Sequence, residues 1–225
     1  MKRLRNQEGF VLVTGLLTLV VLTFLGLAAT RNTSIELKIA GNDRVHQESF
    51  YDAEATVILG SELLEQNFNC PSGFSKSLGN SAAGATNEPA DTQYSLVENQ
   101  IRVYNQGNNI ALWRNPQPRE WTDTGGWTIN RDIYDPADAD AAYPAANIAT
   151  GVNVGYLYMG GYAELLPGGA LQMAAGYEGK GKGSAAGGVA RILDIYAVHN
   201  GELNSQSCVV IGWRHVIGSE GDCIY

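Results

Sequence analysis

The chain has few of the residue types that carry chemistry, and they are poorly spaced for it. There are three cysteines, Cys70, Cys208 and Cys223, and no CxxC pair. With no fourth ligand in a suitable spacing, this pattern excludes a structural zinc site. The three histidines, His46, His199 and His215, come without a GxSxG elbow or comparable frame, so no serine-based triad is indicated. The stretch GYEGKGKG at 176–183 has phosphate-loop spacing but lacks the Ser or Thr that should follow Lys182, and strand-like sequence follows it. Its six glycines within 176–188 read as a mobile connection between strands. Positive charge is also scarce: 15 Lys and Arg face 23 Asp and Glu, a net −8. A surface this acidic is a poor match for phosphate backbones, which excludes nucleic acid as a direct partner. No set of residues has the spacing of a nucleophile, base and orienter, so neither enzymatic activity nor a cofactor is expected.

A long apolar run occurs once, at the start. MKRLRNQEG gives way to FVLVTGLLTLVVLTFLGLAA, twenty residues without a charge at 10–29. At about 1.5 Å per residue they reach roughly 30 Å, the thickness of a bilayer's hydrocarbon core. Lys2, Arg3 and Arg5 precede the run, so the positive-inside rule leaves the N-terminus in the cytoplasm and the bulk of the chain outside. The sharpest discontinuity, Gly9 to Phe10, falls on the cytoplasmic side of the run. An ordinary secretory signal is instead cleaved on the far side. Past residue 29 the pattern becomes amphipathic. Ile35, Ile39, His46, Phe50, Ala53, Val57, Gly60, Leu64 and Phe68 recur near one helical face, and one helix over 10–67 would be about 87 Å long. Gly41 reads as a glycine tolerated within that helix, a soft point being the alternative.

The short basic leader ending in Gly, with Phe opening the span, resembles a type IV prepilin leader. Downstream, Ala40-Gly41-Asn42 and Asp52-Ala53-Glu54-Ala55 stand in the register of the AGN and AAE elements of the PilX-type minor pilins. The resemblance covers about residues 5–68. It implies that prepilin peptidase cuts between Gly9 and Phe10 and methylates the new amine. It further implies an inner-membrane single-pass protein with a periplasmic C-terminal domain, passed by the membrane assembly platform into a hetero-oligomeric filament with major and minor pilins. Major pilins carry Glu at the fifth mature position, where this chain has Thr14. That departure points to a minor, priming or tip-located subunit, contributing through the pilus to adhesion, aggregation or motility. The alternatives are a pseudopilin K-like tip subunit of type II secretion and a pilus-displayed adhesin or binding module. Lys2, Arg3 and Arg5 against Glu8 give the leader +2, so the processed chain would stand near −10 against −8 for the whole.

The expected organisation is a leader at 1–9, a transmembrane half-helix at 10–29, an amphipathic half at 30–68 and a globular domain at 69–225. The fold class is α+β, with the long helix packed on a C-terminal antiparallel sheet as in pilins. Pro71 and Gly73 stop the helix, and the small polar residues of 75–91 read as an exposed loop. Short strands are expected within 92–113, with turns at Glu98-Asn99 and 105–109, and further strands at 154–164, 170–175, 189–199 and 207–216. Apolar residues on both faces of ARILDIYAVHN suggest a central strand. Asp132, Asp135, Asp138 and Asp140 are weak candidate calcium ligands, and a solvated acidic turn is the preferred reading. Trp113, Trp121, Trp127 and Trp213 read as packing anchors rather than a binding surface. Cysteine spacing favours a Cys208–Cys223 bridge, with Cys70–Cys223 open.

Overall fold

The computed structural model describes residues 8–68, 70, 73–74, 78–105, 134–165 and 189–216. Two compact units divide the chain, Met1–Arg44 and Val45–Tyr225. The helix α1, Glu8–Asn67, contributes to both. Sixty residues without proline permit that length, since no backbone donor is missing along it. It ends where sequence analysis places its end. Cys70 N donates to Asn67 O at 2.9 Å and Gly73 N to Cys70 O at 3.0 Å, with Gly73 at a φ of 71°.

In the second unit the C-terminal turns of α1 lie on a seven-stranded antiparallel sheet. The strands are β1 Leu78–Asn80, β2 Gln93–Val97, β3 Ile101–Tyr104, β4 Ala141–Tyr143, β5 Val154–Leu165, β6 Val189–Asn200 and β7 Gln206–Val216, and they neighbour one another in chain order. The expected turn at Glu98-Asn99 is present. Both residues take positive φ, 49° and 60°, and Gln100 N closes the turn on Val97 O, a geometry matching the twist of the flanking strands. The strands at 154–164, 189–199 and 207–216 are found within a residue of their expected ends. β6 pairs on both sides, with β5 over twelve residues and with β7 over eleven. The three-residue strands β1 and β4 have too little sequence to show an alternating pattern. The expected strand at 170–175, the glycine-rich 176–188 and Trp113, Trp121 and Trp127 lie outside the described residues.

Two cores flank the sheet. On the helix side, Val57, Leu63 and Leu64 pack with Phe74, Val97, Val103, Leu157, Met159, Leu193, Ile195 and Ala197. Each large side chain removed from water here contributes about 1.5–3 kcal/mol. The helix approaches closely because small residues face the sheet. Ala53 is fully buried, a Cβ on Gly60 would lie 2.8 Å from Leu157 Cδ2, and a Cβ on Gly155 of β5 would run into the Thr56 side chain. The buried stripe is Ser49, Ala53, Thr56, Val57, Gly60, Leu63, Leu64, Asn67 and Phe68. It is rotated from the expected one, for His46 and Phe50 are exposed and Ser49 and Thr56 are buried instead. Close packing selects small side chains at those turns, which a search for large apolar residues passes over.

On the opposite face Tyr104, Tyr156, Tyr158, Ile148, Val154 and Val198 form a second core. Tyr104 OH donates to Glu88 Oε2 at 2.9 Å, and the Arg102 guanidinium reaches the same oxygen at 2.6 Å while lying 4.6 Å over the Tyr94 ring. Glu88 is buried, and the Ser81 hydroxyl, also buried, donates to Pro89 O at 2.6 Å. The expected exposed loop is thus found over most of 81–91, with Ser81, Glu88 and Pro89 as buried exceptions, and Leu78–Asn80 before it is a strand. A polar composition does not reveal polar groups that are buried because they are paired.

Two outcomes follow from these cores. Gly60→Val in the detergent-solubilised chain should lower stability by about 1–3 kcal/mol through overpacking, seen as a lower urea midpoint; an unchanged midpoint would contradict the close helix–sheet approach. Burial, with the Glu88 charge adding to it, pushes the Tyr156 hydroxyl up to about 12, and burial raises Tyr104 and Tyr158 as well. In the unfolded chain these hydroxyls ionise near 10, so the native state retains protons that the unfolded state has lost. Stability is full below pH ~10 and falls as pH rises through 10–12. Tyrosinate absorbance and circular dichroism followed together should show ionisation coupled to unfolding, not preceding it.

Candidate assembly surface

The first unit is helix throughout its described length, and its large apolar side chains are exposed. The large apolar residues at 10–27 are all exposed, Phe10 by 72 %. Gly9 and Phe10 lie in the first turn of α1, and Cβ atoms added at Gly9, Gly15, Gly26 or Gly41 would meet nothing within 4 Å. The hydroxyls in the run are satisfied by their own helix. Thr14 Oγ1 lies 3.0 Å from both Phe10 O and Val11 O, Thr18 bonds to Gly15 O at 2.8 Å and Thr23 to Val20 O at 2.7 Å. A polar group that completes its bonding on its own backbone costs little in hydrocarbon. The helix is long and apolar enough to cross a membrane, which fits membrane anchoring. Ala40, Gly41, Asn42, Ile35 and Ile39 are likewise exposed.

In the second unit the helix turns at 45–67 carry Glu48, Asp52, Glu54, Glu62 and Glu65 and no Lys or Arg. Of the Asp52-Ala53-Glu54-Ala55 element, Ala53 is fully buried and Glu54 is exposed. Two acids of this helix meet histidines of the sheet. His215 of β7 places Nδ1 3.2 Å from Glu65 Oε2, and its ring clusters with those of Phe68 at 4.3 Å and Trp213 at 5.4 Å. Trp213 is thus a packing anchor, as expected.

His199, at the end of β6, places Nε2 3.7 Å from Asp52 Oδ2. Its side chain is only 7 % exposed, while that of Asp52 is 54 % exposed. Burial lowers the His199 pKa, opposed by the Asp52 and Glu48 charges. His199 Nδ1 has no hydrogen-bond partner among the described residues. Both residues line a cleft of about 320 Å³ together with Ala55, Thr56, Leu59, Tyr143, Pro144 and Asn153. Sequence alone gave no sign of this cleft, because Asp52 and His199 are far apart in the chain and neither stands in a recognisable spacing.

Among the described residues, two of the candidate calcium ligands, Asp135 and Asp140, bond to backbone amides. Asp135 Oδ1 accepts from Ala137 N at 2.9 Å and caps a short turn, while Asp140 is buried with Oδ2 accepting from Met159 N at 2.7 Å. Asp132 lies outside the described residues, among which no group of three potential metal ligands occurs. These carboxylates hold backbone instead. The favoured Cys208–Cys223 bridge is corrected as well. Cys70 is disulfide-bonded, whereas Cys208 is a free thiol on the outer face of β7, its pKa pushed up by burial and lowered by a hydrogen bond with Tyr134. The side chain of Cys208 is committed to the sheet face carrying Val198, its cross-strand neighbour. Nearness in sequence is not nearness in the sheet.

A long apolar N-terminal helix combined with an antiparallel sheet is a pilin-like α+β arrangement. Residues 8–57 match the model of the PilX N-terminal family, which is consistent with a PilX-type pilin and suggests a structural subunit related to the type IV pilus. No curated protein and no solved structure matches the chain.

With Cys208 free, Cys223 is the remaining cysteine able to pair with Cys70. Non-reducing peptide mapping should recover a Cys70–Cys223 cross-linked peptide, and Cys208→Ser should leave the melting temperature unchanged. A bridge closing a loop this long is worth on the order of 5 kcal/mol, so reduction should lower the melting temperature strongly. A recovered Cys208 disulfide would refute the assignment.

Proposed function

We propose that this chain is a minor pilin of a type IV pilus, acting in the priming or tip complex of the filament. The observation that carries the reading is the PilX N-terminal match over 8–57, on a helix whose apolar run is unburied and whose hydroxyls are self-satisfied. In this reading prepilin peptidase removes residues 1–9 and methylates Phe10. Residues 10–29 cross the inner membrane with the N-terminus in the cytoplasm, and 69–225 form the periplasmic domain. The assembly platform then moves the chain into the filament, where the apolar helix exchanges lipid for the helices of major and other minor pilins.

The mechanism is packing with one electrostatic condition. The new amine of Phe10 is a cation in an apolar surrounding and needs a carboxylate. Thr14 supplies none, since its hydroxyl is uncharged and bonded within its own helix. The chain therefore offers a cation to a neighbour and no carboxylate in return, which suits a subunit at an end of the filament rather than its repeating unit.

Mass spectrometry of sheared, purified pili should recover a peptide beginning with N-methylated Phe10. Recovery only of a chain that retains Met1, and only from membranes, would refute both processing and incorporation.

A further inference from the structure

Two buried histidines of the sheet meet acids of α1, and each keeps one ring nitrogen toward its acid and the other without a partner. His215 turns Nδ1 to Glu65, and its Nε2 is buried without a hydrogen-bond partner among the described residues. His199 turns Nε2 to Asp52 Oδ2, and its Nδ1 is buried in the same way. The contacts differ in closeness, because 3.2 Å at His215 is within hydrogen-bond distance and 3.7 Å at His199 is not. His199 stands in β6 between Gly155 of β5 and Ser207 of β7, neither of which brings a charge. Tyr143 of β4 lines the same cleft, and the helix contributes the charges of Asp52 and Glu48.

We propose that the seating of α1 on its sheet is acid-sensitive at His199: protonation of this ring weakens the contact that holds the helix turn of Asp52 against β6. A neutral imidazole has one N–H and one lone pair. With the N–H on Nε2, toward Asp52, Nδ1 is a bare acceptor. Protonation turns it into a buried donor with no acceptor among the described residues, and an unmet buried donor is costly. The Asp52 and Glu48 charges favour the imidazolium, but Asp52 is half-exposed and beyond hydrogen-bond distance, so water screens its pull. Burial is the larger effect, and it lowers the His199 pKa. In the unfolded chain histidine ionises near 6.5, at about pH 6.5 and below. The native state therefore takes up this proton less readily than the unfolded one. The contribution of His199 is full above pH ~6.5 and is lost as the pH falls below that value toward the lowered native one. Asp52 moderates this loss and is not its cause. The effect arises within the domain and is independent of the filament reading.

The test uses the full chain in detergent micelles, unfolded by urea at about pH 7.5 and about pH 5.5, on either side of the ordinary histidine value. Acidification should lower the urea midpoint of the unaltered chain more than that of His199→Gln, while His215→Gln should keep the larger fall. Asp52→Asn should enlarge the fall, because the charge opposing burial is gone. A stabilising ion pair between Asp52 and a protonated His199 would give the reverse, a gain on acidification that Asp52→Asn removes. The His199 ring signal, followed by NMR in the unaltered chain, should titrate below about 6.5, a readout that does not depend on whether the glutamine variant folds. A ring that titrates at or above that value, a fall no smaller in folded His199→Gln, or a fall abolished by Asp52→Asn would overturn the proposal.

Discussion

The domain depends on how closely α1 can lie on its sheet. The sheet itself is assembled from neighbours in chain order, so local pairing establishes its topology without help from the helix. Local pairing does not decide how the helix-side core closes. That falls to the small residues at the contact, where buried Ala53 and the missing side chains of Gly60 and Gly155 leave room for Leu157, Met159, Ile195 and Thr56. Once the helix is seated, Val57, Leu63 and Leu64 reach the core, and Asp52 and Glu65 come opposite His199 and His215. The cleft exists because large and small residues alternate along this one contact.

Tyrosine organises the other face differently. Tyr104, Tyr156 and Tyr158 are large enough to build a core, and the hydroxyls of Tyr104 and Tyr158 find partners there. Tyr104 uses buried Glu88, which also holds Arg102, and Tyr158 donates to Asp135 O at 3.0 Å. The segment around Ser81 to Glu88 and the turn at Asp135 are thereby drawn onto the sheet by side chains of the strands. A polar stretch becomes part of the core through its partners, and removing one partner of such a pair leaves the other buried and unsatisfied.

How much of this was legible follows from where each signal resides. The helix was legible because twenty uncharged residues, an absence of proline and a Pro-Gly stop are properties of consecutive positions. The long strands β5, β6 and β7 were legible for the same reason, as was the Glu98-Asn99 turn. The exposure of Phe50 and the burial of Ser49 were not, because the rotation of a helix on a sheet is decided by fit, and fit depends on residues a hundred positions away. The disulfide shows the same limit. Cys208 and Cys223 are close along the chain, yet the sheet gives Cys208 to its outer face and leaves it free. The Asp52–His199 cleft depends wholly on tertiary placement, and no spacing announces it.

The two elements read from the sequence as resembling those of PilX-type minor pilins have different physical settings in this chain. Ala53 needs no explanation beyond the domain, since any larger side chain would press on the sheet. Ala40, Gly41 and Asn42 have no such reason, for they are exposed, and a Cβ on Gly41 would meet open space. Intramolecular packing therefore accounts for a small residue at 53 and not at 41. The same contrast separates Glu54, which faces solvent, from Ala53 beside it. Thr14 sharpens the point, because its hydroxyl is satisfied at home and asks nothing of a neighbour. The apolar run of the helix, its exposed glycines and its self-bonded threonines are therefore features that packing within the described domain does not explain.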